Sequence, residues 1–170
     1  VGTSGSPYEA GLQAALLALE LQRAANAAKQ VTLDNCRTAC KGAQACLDTC
    51  ATSHPLDFLR TDAYLYLIFV TDEEDESAED VRYYWRTFET AKGIGNDGTV
   101  TTAAIMGDVP TNGCGAAPGS RYKALSELTG GEVGSICDTN FSATLKKLAT
   151  NAVGLKRKFA LSKKPNLATL

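Results

Sequence analysis

An acidic run that follows an apolar segment contains the residues best suited to binding a metal ion. Seven of the nine residues from Asp72 to Asp80 are acidic, and hard cations such as Mg²⁺ and Ca²⁺ are bound by clustered oxygen ligands of this kind. Asp72 follows the apolar segment, which places its carboxylate where open parallel sheets bind their ligands. The other acids have a simpler interpretation, because acidic residues are favoured at the N-terminus of a solvated helix. That interpretation applies to Glu74, Glu76, Glu79 and Asp80.

Four closely spaced cysteines form the second group with defined chemistry. Cys36, Cys40, Cys46 and Cys50 are spaced four, six and four residues apart, and residues four apart share one face of a helix. Two short helices broken at Gly42 would therefore face each other as a hairpin, with an outer disulfide Cys36–Cys50 and an inner disulfide Cys40–Cys46. Four thiolates could instead bind a structural zinc ion, although zinc motifs usually have two-residue gaps on turn-like backbone.

The remaining two cysteines complete an even number. We expect Cys114 and Cys137 to form a third disulfide, because both lie close to the ends of predicted strands. Six oxidised cysteines indicate an oxidising compartment, so we predict an extracytoplasmic location: secreted, periplasmic or at the outer cell surface.

Several function classes are disfavoured by composition and by missing partners. His54 is the single histidine, and it has no nucleophile in a recognisable setting, which argues against Ser-His-Asp or Cys-His catalysis. A formal net charge of -2 does not suit a nucleic-acid binder. The longest apolar segment, Ala63–Val70, has the length of a strand and is too short to span a membrane. An enzyme that uses the Asp72–Glu76 acids with a metal is disfavoured, since no base or nucleophile accompanies them.

The elements that position these residues alternate between strands and helices. Such an order predicts an α/β fold with a doubly wound, mainly parallel sheet and helices on both faces. Ser6 and Pro7 suit the start of the first helix, and Ser77 suits the start of the second long one. The predicted elements are a helix over Tyr8–Lys29, the cysteine hairpin within 31–54, and then strand Ala63–Val70, helix Ser77–Lys92, strand Thr99–Met106, helix Arg121–Thr129, strand Glu132–Ile136 and helix Phe141–Lys156.

The predicted sheet is thin for this fold class. Three strands are few, and the strand Ala63–Val70 is apolar enough to need neighbours on both edges and both faces. The first residue is Val1, with no signal peptide after it. We therefore expect that upstream strands of the same domain are missing from the 170 residues.

Several segments, in this order, resemble bacterial von Willebrand factor type A domains. The run from Phe58 to Asp75 is similar to the fourth strand of that family and the acidic turn after it. The entry to its helix after the third strand is similar to Gly5–Leu12. The later helix and strand are similar to the segments Gly119–Tyr122, Leu128–Gly131 and Gly134–Cys137.

This resemblance implies a metal site at the top of a six-stranded sheet. The family binds a divalent cation through an Asp-x-Ser-x-Ser loop, a Thr from a second loop and an Asp after the fourth strand. Asp72 matches that Asp, and Ser6, or alternatively Thr3, lies where the Thr is usual. Glu73 and Asp75 are further candidate ligands beside Asp72. The Asp-x-Ser-x-Ser motif occurs nowhere in the sequence, so the chain would supply at most half of the site.

The resemblance implies a non-enzymatic function. We expect residues 1–170 to be one domain, without its first strands and with residues 31–54 inserted. Mg²⁺ or Ca²⁺ at Asp72 would assist adhesion or protein–protein assembly in an exported bacterial surface or envelope protein. Its partner would be a protein ligand or the missing upstream part of the same protein. The alternative is a structural assembly module with a vestigial metal site, whose contacts are made by the disulfide hairpin.

Overall fold

The protein has an α/β fold built on a three-stranded parallel sheet, which confirms the predicted class at this level. The computed structural model describes residues 8–56, 58–60, 63–93, 98–111 and 114–153. None of the helices in these ranges is both long and apolar enough to cross a membrane. The elements are α1 (Gly11–Ala39), α2 (Gln44–Ser53), β1 (Leu65–Val70), α3 (Val81–Ala91), β2 (Val100–Met106), α4 (Ser120–Thr129), β3 (Val133–Ser135) and α5 (Ser142–Val153).

The sheet has the strand order β1-β2-β3, with both pairs parallel. Leu65 is aligned with Val100 and Val70 with Ile105, so the first two strands pair over their whole shared length. Every residue of β2 is buried. A central strand of a parallel sheet is covered on both faces, which explains why this segment has no polar–apolar alternation.

Three helices cover one face of the sheet. On this face, α1, α3 and α4 pack over the strands and form the main core with them. Tyr84 and Phe88 of α3 are completely buried, as is Leu125 of α4. The other core residues are Leu12, Leu16, Leu19, Leu59, Leu65, Val100, Ala104, Met106 and Tyr122.

The opposite face carries α5 alone among the described elements. Leu148 of this helix packs with Ala103 and Ile105 of β2, and Tyr66 of β1 borders the same cluster. Helices therefore lie on both faces, as the alternating pattern predicted. On this face, α5 covers the side that belongs to β2 and leaves Ile68 and Val70 of β1 exposed.

The second half of α1 and the whole of α2 form a helical hairpin linked by two disulfides. Its first arm is the second half of α1, which at 29 residues is about 43 Å long and far exceeds the length of the strands. The predicted end of the first helix at Lys29 is wrong, because no proline or glycine follows to interrupt it and the helix continues to Ala39. The predicted break at Gly42 is confirmed: its φ of 85° is left-handed, a conformation that glycine adopts at little cost.

Two predicted helix starts also differ from the structure. The first helix begins at Gly11 instead of Tyr8, and Ser6 and Pro7 lie outside the described residues. The helix predicted to start at Ser77 begins at Val81, because the side chain of Asp80 accepts a hydrogen bond from the N–H of Arg82 at 2.8 Å and so caps it.

Candidate functional site

The acidic segment Thr71–Asp80 lies at the carboxyl end of β1, next to the N-termini of α1 and α4. The short bridge between Glu9 and Asp75 brings the residues before α1 alongside this segment, and the N–H of Glu76 donates to the carbonyl oxygen of Glu9 at 2.6 Å. This edge is also where parallel α/β sheets bind ligands. The segment therefore lies at the sheet edge where the sequence analysis placed the carboxylate of Asp72.

Asp75 is the buried centre of this region. Its side chain has no exposed surface. One oxygen, Oδ1, accepts hydrogen bonds from the N–H of Leu12 at 3.1 Å and the hydroxyl of Ser77 at 2.8 Å, with the Tyr122 hydroxyl at 3.5 Å. The other oxygen, Oδ2, accepts from Nε of Arg121 at 2.9 Å. Four donors from α1, α4 and the turn itself thus surround one carboxylate.

Asp75 and Ser77 together cap the N-terminus of α1. The residue before this helix, Ala10, has no side chain that could do so. Instead Leu12 donates its N–H to Asp75, and Gln13 donates its N–H to the Ser77 hydroxyl at 3.0 Å. The first N–H groups of a helix need such acceptors, and a carboxylate there also interacts favourably with the helix dipole.

Glu74 caps the N-terminus of α4 in the same way. Its Oε2 accepts from the N–H of Ser120 at 2.8 Å, and its Oε1 from the N–H of Arg121 at 3.1 Å. Gly119, which precedes the helix, offers no capping side chain. The structure therefore gives Glu74 a helix-terminus role, but the helix is α4 instead of the one that follows in sequence.

Thr71 and Glu9 connect the end of β1 to the residues before α1. The Thr71 hydroxyl donates to Oε2 of Glu9 at 2.5 Å and accepts from the N–H of Glu73 at 3.0 Å. Together with the bonds of Asp75 and Ser77, these contacts hold the acidic segment against α1 and Glu9 before it. Its conformation is set by contacts that span more than 60 residues.

Asp72 differs from these neighbours because its carboxylate is exposed and no donor among the described residues contacts it. Its main chain is fixed, since its carbonyl oxygen accepts from the N–H of Ala117 at 2.8 Å. The adjacent Glu73 is half-buried. Within the described part of the chain, no three carboxylates converge closely enough to hold a cation by themselves. Ser6 and Thr3, the predicted hydroxyl ligands, lie outside the described residues.

Burial and nearby acids also affect Tyr122. Burial raises the pKa of its hydroxyl, and the negative charge of Asp75 raises it further. The hydroxyl also lies against the start of α1, where a Cβ on Gly11 would be only 2.3 Å from it. Tyr122 is therefore a neutral, packed member of the Asp75 network.

The cysteines form the disulfides that the sequence predicted. Cys36 is bonded to Cys50 and Cys40 to Cys46, and the two bonds link α1 to α2. Leu33 packs with Cys40 and Cys50 in a small core separate from the main one. The sulfur atoms of Cys40, Cys46 and Cys50 lie within 4.8 Å of one another, but as disulfide sulfurs they are not the thiolates that zinc requires.

The third disulfide joins Cys114 to Cys137. Cys114 belongs to the loop after β2, and Cys137 follows β3. The bond therefore links two connections at the carboxyl edge of the sheet, the same edge that carries Asp72. Disulfides in this number are typical of proteins from oxidising environments.

Sequence reasoning missed the capping roles of Glu74, Asp75 and Ser77. One signal was present in the sequence: neither α1 nor α4 has a capping side chain directly before it, since Ala10 and Gly119 occupy those positions. A helix start without a local cap predicts an acceptor from elsewhere in the fold.

No protein-family model, curated protein or solved structure matches this chain.

Proposed function

We propose that this protein is a non-enzymatic module that binds a partner protein through a divalent cation held at Asp72. The observation that carries the proposal is the contrast within one acidic segment. Glu74 and Asp75 have their oxygen atoms engaged by protein donors, whereas Asp72 has an exposed carboxylate on a fixed main chain. A free carboxylate at the ligand-binding edge of a parallel sheet is available for a ligand or an ion.

The donor chemistry fits Mg²⁺ or Ca²⁺. Both prefer oxygen ligands, and Mg²⁺ is commonly bound through one or two carboxylates with the rest supplied by water and the partner. Asp72 would be the principal ligand from this chain, with Ser6 or Thr3 adding a hydroxyl and Glu73 a second carboxylate. When bound, the cation would act as a Lewis acid that accepts a carboxylate oxygen from the partner protein.

Asp75 has a positioning role in this proposal. Its carboxylate holds the start of α1 and the side chain of Arg121 at the same place. Glu9, which precedes α1, is thereby kept beside the turn that carries Asp72. A ligand role for Asp75 itself remains a prediction, but one that would require its present donors to be displaced.

The resemblance to bacterial von Willebrand factor type A domains supports the same assignment. It supplies the expectation that the partner is a protein and that the setting is a bacterial surface or envelope. Three disulfides are compatible with an extracytoplasmic location.

Calorimetric titration of the intact protein with Mg²⁺, and separately with Ca²⁺, tests the proposal. The variant Asp72→Ala should weaken cation binding at least tenfold and reduce partner attachment equally, without a change in unfolding. Glu76→Gln is the matched control: this residue is also acidic and exposed, lies four positions away, and has no role in the proposed site. Equal cation affinity in the two variants, or partner attachment that persists in excess chelator, would refute the proposal.

The second candidate is a structural module that binds its partner through the hairpin formed by residues 31–54. The observation in its favour is that the hairpin has a small core of its own and two disulfides that link its helices. Attachment that survives Asp72→Ala but is lost when exposed residues of the hairpin are changed would select this alternative. Val31, which is 61% exposed on α1, is a suitable position.

A further inference from the structure

A small cavity lies at the base of the hairpin, where the chain leaves α2 and runs towards β1. Its volume is about 180 Å³. The residues that line it come from α1, from α2 and from the connection to β1: Leu33, Arg37, Ala51, His54, Leu56 and Arg60. This connection leads to the amino end of β1, whereas Asp72 follows the carboxyl end of that strand. The cavity is therefore separate from the site at Asp72.

The outer disulfide of the hairpin holds two walls of the cavity together. Arg37 directly follows Cys36 on α1, and Ala51 directly follows Cys50 on α2, so the bond between these cysteines joins the two walls. The N–H of His54 donates to the carbonyl oxygen of Cys50 at 3.0 Å, which ties the third wall to the same point. A cavity that is already formed spares a ligand the cost of ordering its walls.

The floor of the cavity is apolar. Leu33 is only 3% exposed and belongs to the hairpin core, and Leu56 packs against that core. Ligand sites in proteins are mostly apolar, with a few polar groups that orient the ligand. An apolar group placed in this cavity would lose contact with water against these two leucines.

The polar residues that line the cavity are basic. Arg37 and Arg60 each carry a guanidinium group, and His54 carries an imidazole. Within the described part of the chain, none of these three side chains has an ion pair or a hydrogen bond to another residue. The donors of these side chains are therefore available to a ligand, and a guanidinium can bind a carboxylate or a phosphate through two parallel N–H groups.

The acids of the hairpin do not neutralise this basic lining. Asp34 accepts a hydrogen bond from Gln30 at 2.7 Å, and Asp48 accepts one from Gln44 at 2.8 Å, each on its own helix. Neither aspartate lines the cavity, and no other acid among the described residues does so. The C-terminus of α2 also lies here and has about half a negative charge, which two full guanidinium charges outweigh.

We propose that this cavity binds a small organic anion. The apolar body of the ligand contacts Leu33 and Leu56, and its carboxylate or phosphate head group is bound by Arg37, Arg60 and His54. The volume equals that of about six water molecules in the liquid, which accommodates a body the size of one aromatic ring. This site is independent of the proposed cation site, because the two share no residue.

The single histidine of the chain provides a direct measurement of binding. The ring resonances of His54 are followed by ¹H–¹³C NMR in the intact, untagged protein at constant pH, with benzoate and with phenyl phosphate as probes. We expect a saturable shift with at least one of them, with a Kd of about 1 mM or lower. Acetate, inorganic phosphate and benzyl alcohol each lack one half of the ligand and should bind at least tenfold more weakly. The absence of a saturable shift with both probes, or equal binding of acetate and benzoate, would overturn the proposal.

Two kinds of variant separate the cavity from general charge attraction. Arg37→Gln and Arg60→Gln should each weaken binding of the better probe about tenfold. Ala51→Leu keeps every charge and fills the cavity from an exposed position on α2, so it should weaken binding to a similar extent while unfolding stays unchanged. Arg23→Gln is the matched control for charge, because Arg23 is exposed and lies about 21 Å along α1 from Arg37.

The control variant should change the Kd by less than twofold. Binding that is equally strong in the Ala51→Leu variant and the parent protein, or equally weak in the Arg23→Gln and Arg37→Gln variants, would show attraction to surface charge and overturn the proposal. None of these variants alters Asp72, and Asp72→Ala should leave the His54 titration unchanged. The two proposals can therefore fail separately.

Discussion

The carboxylate of Asp75 and the guanidinium of Arg121 are joined by a hydrogen bond of 2.9 Å across 46 residues of sequence. The Asp75 side chain is completely buried, whereas that of Arg121 is 28% exposed. Nη2 of the same arginine donates to the carbonyl oxygen of Glu79 at 2.5 Å. The pair thus ties the acidic segment after β1 to the first turn of α4.

Replacing Asp75 by Asn should destabilise the protein by about 3 kcal/mol, because it removes the charge that compensates Arg121 and weakens the cap of α1. Denaturant unfolding of the intact protein measures this change. Glu76→Gln, a neighbouring exposed acid, should change the free energy of unfolding by less than about 0.5 kcal/mol. Equal stability of the two variants would show that the network around Asp75 contributes little.

The disulfides of the hairpin should stabilise it locally. Peptide mapping without reduction is expected to recover the pairs Cys36–Cys50, Cys40–Cys46 and Cys114–Cys137. Because the hairpin core is separate from the main core, the double variant Cys36→Ser/Cys50→Ser should increase proteolysis within residues 31–54 and leave the sheet protected.

The outer disulfide closes a 14-residue separation, for which loop-closure entropy predicts about 3 kcal/mol. The matched control is Cys114→Ser/Cys137→Ser, which should leave hairpin proteolysis unchanged. Free thiols at the four hairpin positions together with bound zinc would contradict the disulfide assignment.

Alkaline pH should destabilise the fold through Tyr122. Its pKa is raised above the ordinary value of 10.0 by burial and by the Asp75 charge, so the unfolded chain loses this proton first. The stabilisation is complete below pH 10 and declines as the pH rises above it, because the unfolded state then binds fewer protons than the folded state. Burial and the charge of Glu132 raise the pKa of Tyr66 in the same direction.

Unfolding free energies measured between pH 9 and 11.5 test this sign. The variant Tyr122→Phe should show a shallower decline than the parent protein over that range. A stability that rises with pH, or an identical slope in the variant, would contradict the assignment of this alkaline loss to Tyr122.

The close approach of Gly131 to β2 should make this position intolerant of any side chain. A Cβ there would lie 1.6 Å from the carbonyl oxygen of Thr102, which belongs to the fully buried central strand. We expect Gly131→Ala to cost about 3 kcal/mol through displacement of the strand or of the turn. Gly42→Ala is the control, since a Cβ there meets no atom within 4 Å and only the left-handed φ is unfavourable, at about 1 kcal/mol. Thermal unfolding of both variants should therefore separate the two effects.

The sequence by itself determined the order of the elements from β1 onward, the parallel strands and the pairing of the cysteines. These features follow from local patterns: continuous apolar segments for β1 and β2, two successive glycines after α4, and cysteines four residues apart on helical faces. The boundaries of β2 and α4 agree with the structure to within one residue. Each pattern depends on neighbours along the chain, so no tertiary contact was needed to interpret it.

Only the tertiary structure decided what the individual acids do. Asp72 and Asp75 are three residues apart and chemically identical, yet one is exposed and the other is surrounded by four donors. Those donors come from α1, α4 and the turn itself, up to 63 residues away in sequence. A carboxylate is buried only where such donors compensate for its lost hydration. Because the donors converge only in the folded chain, no pattern within the acidic segment could have separated the structural carboxylate from the free one.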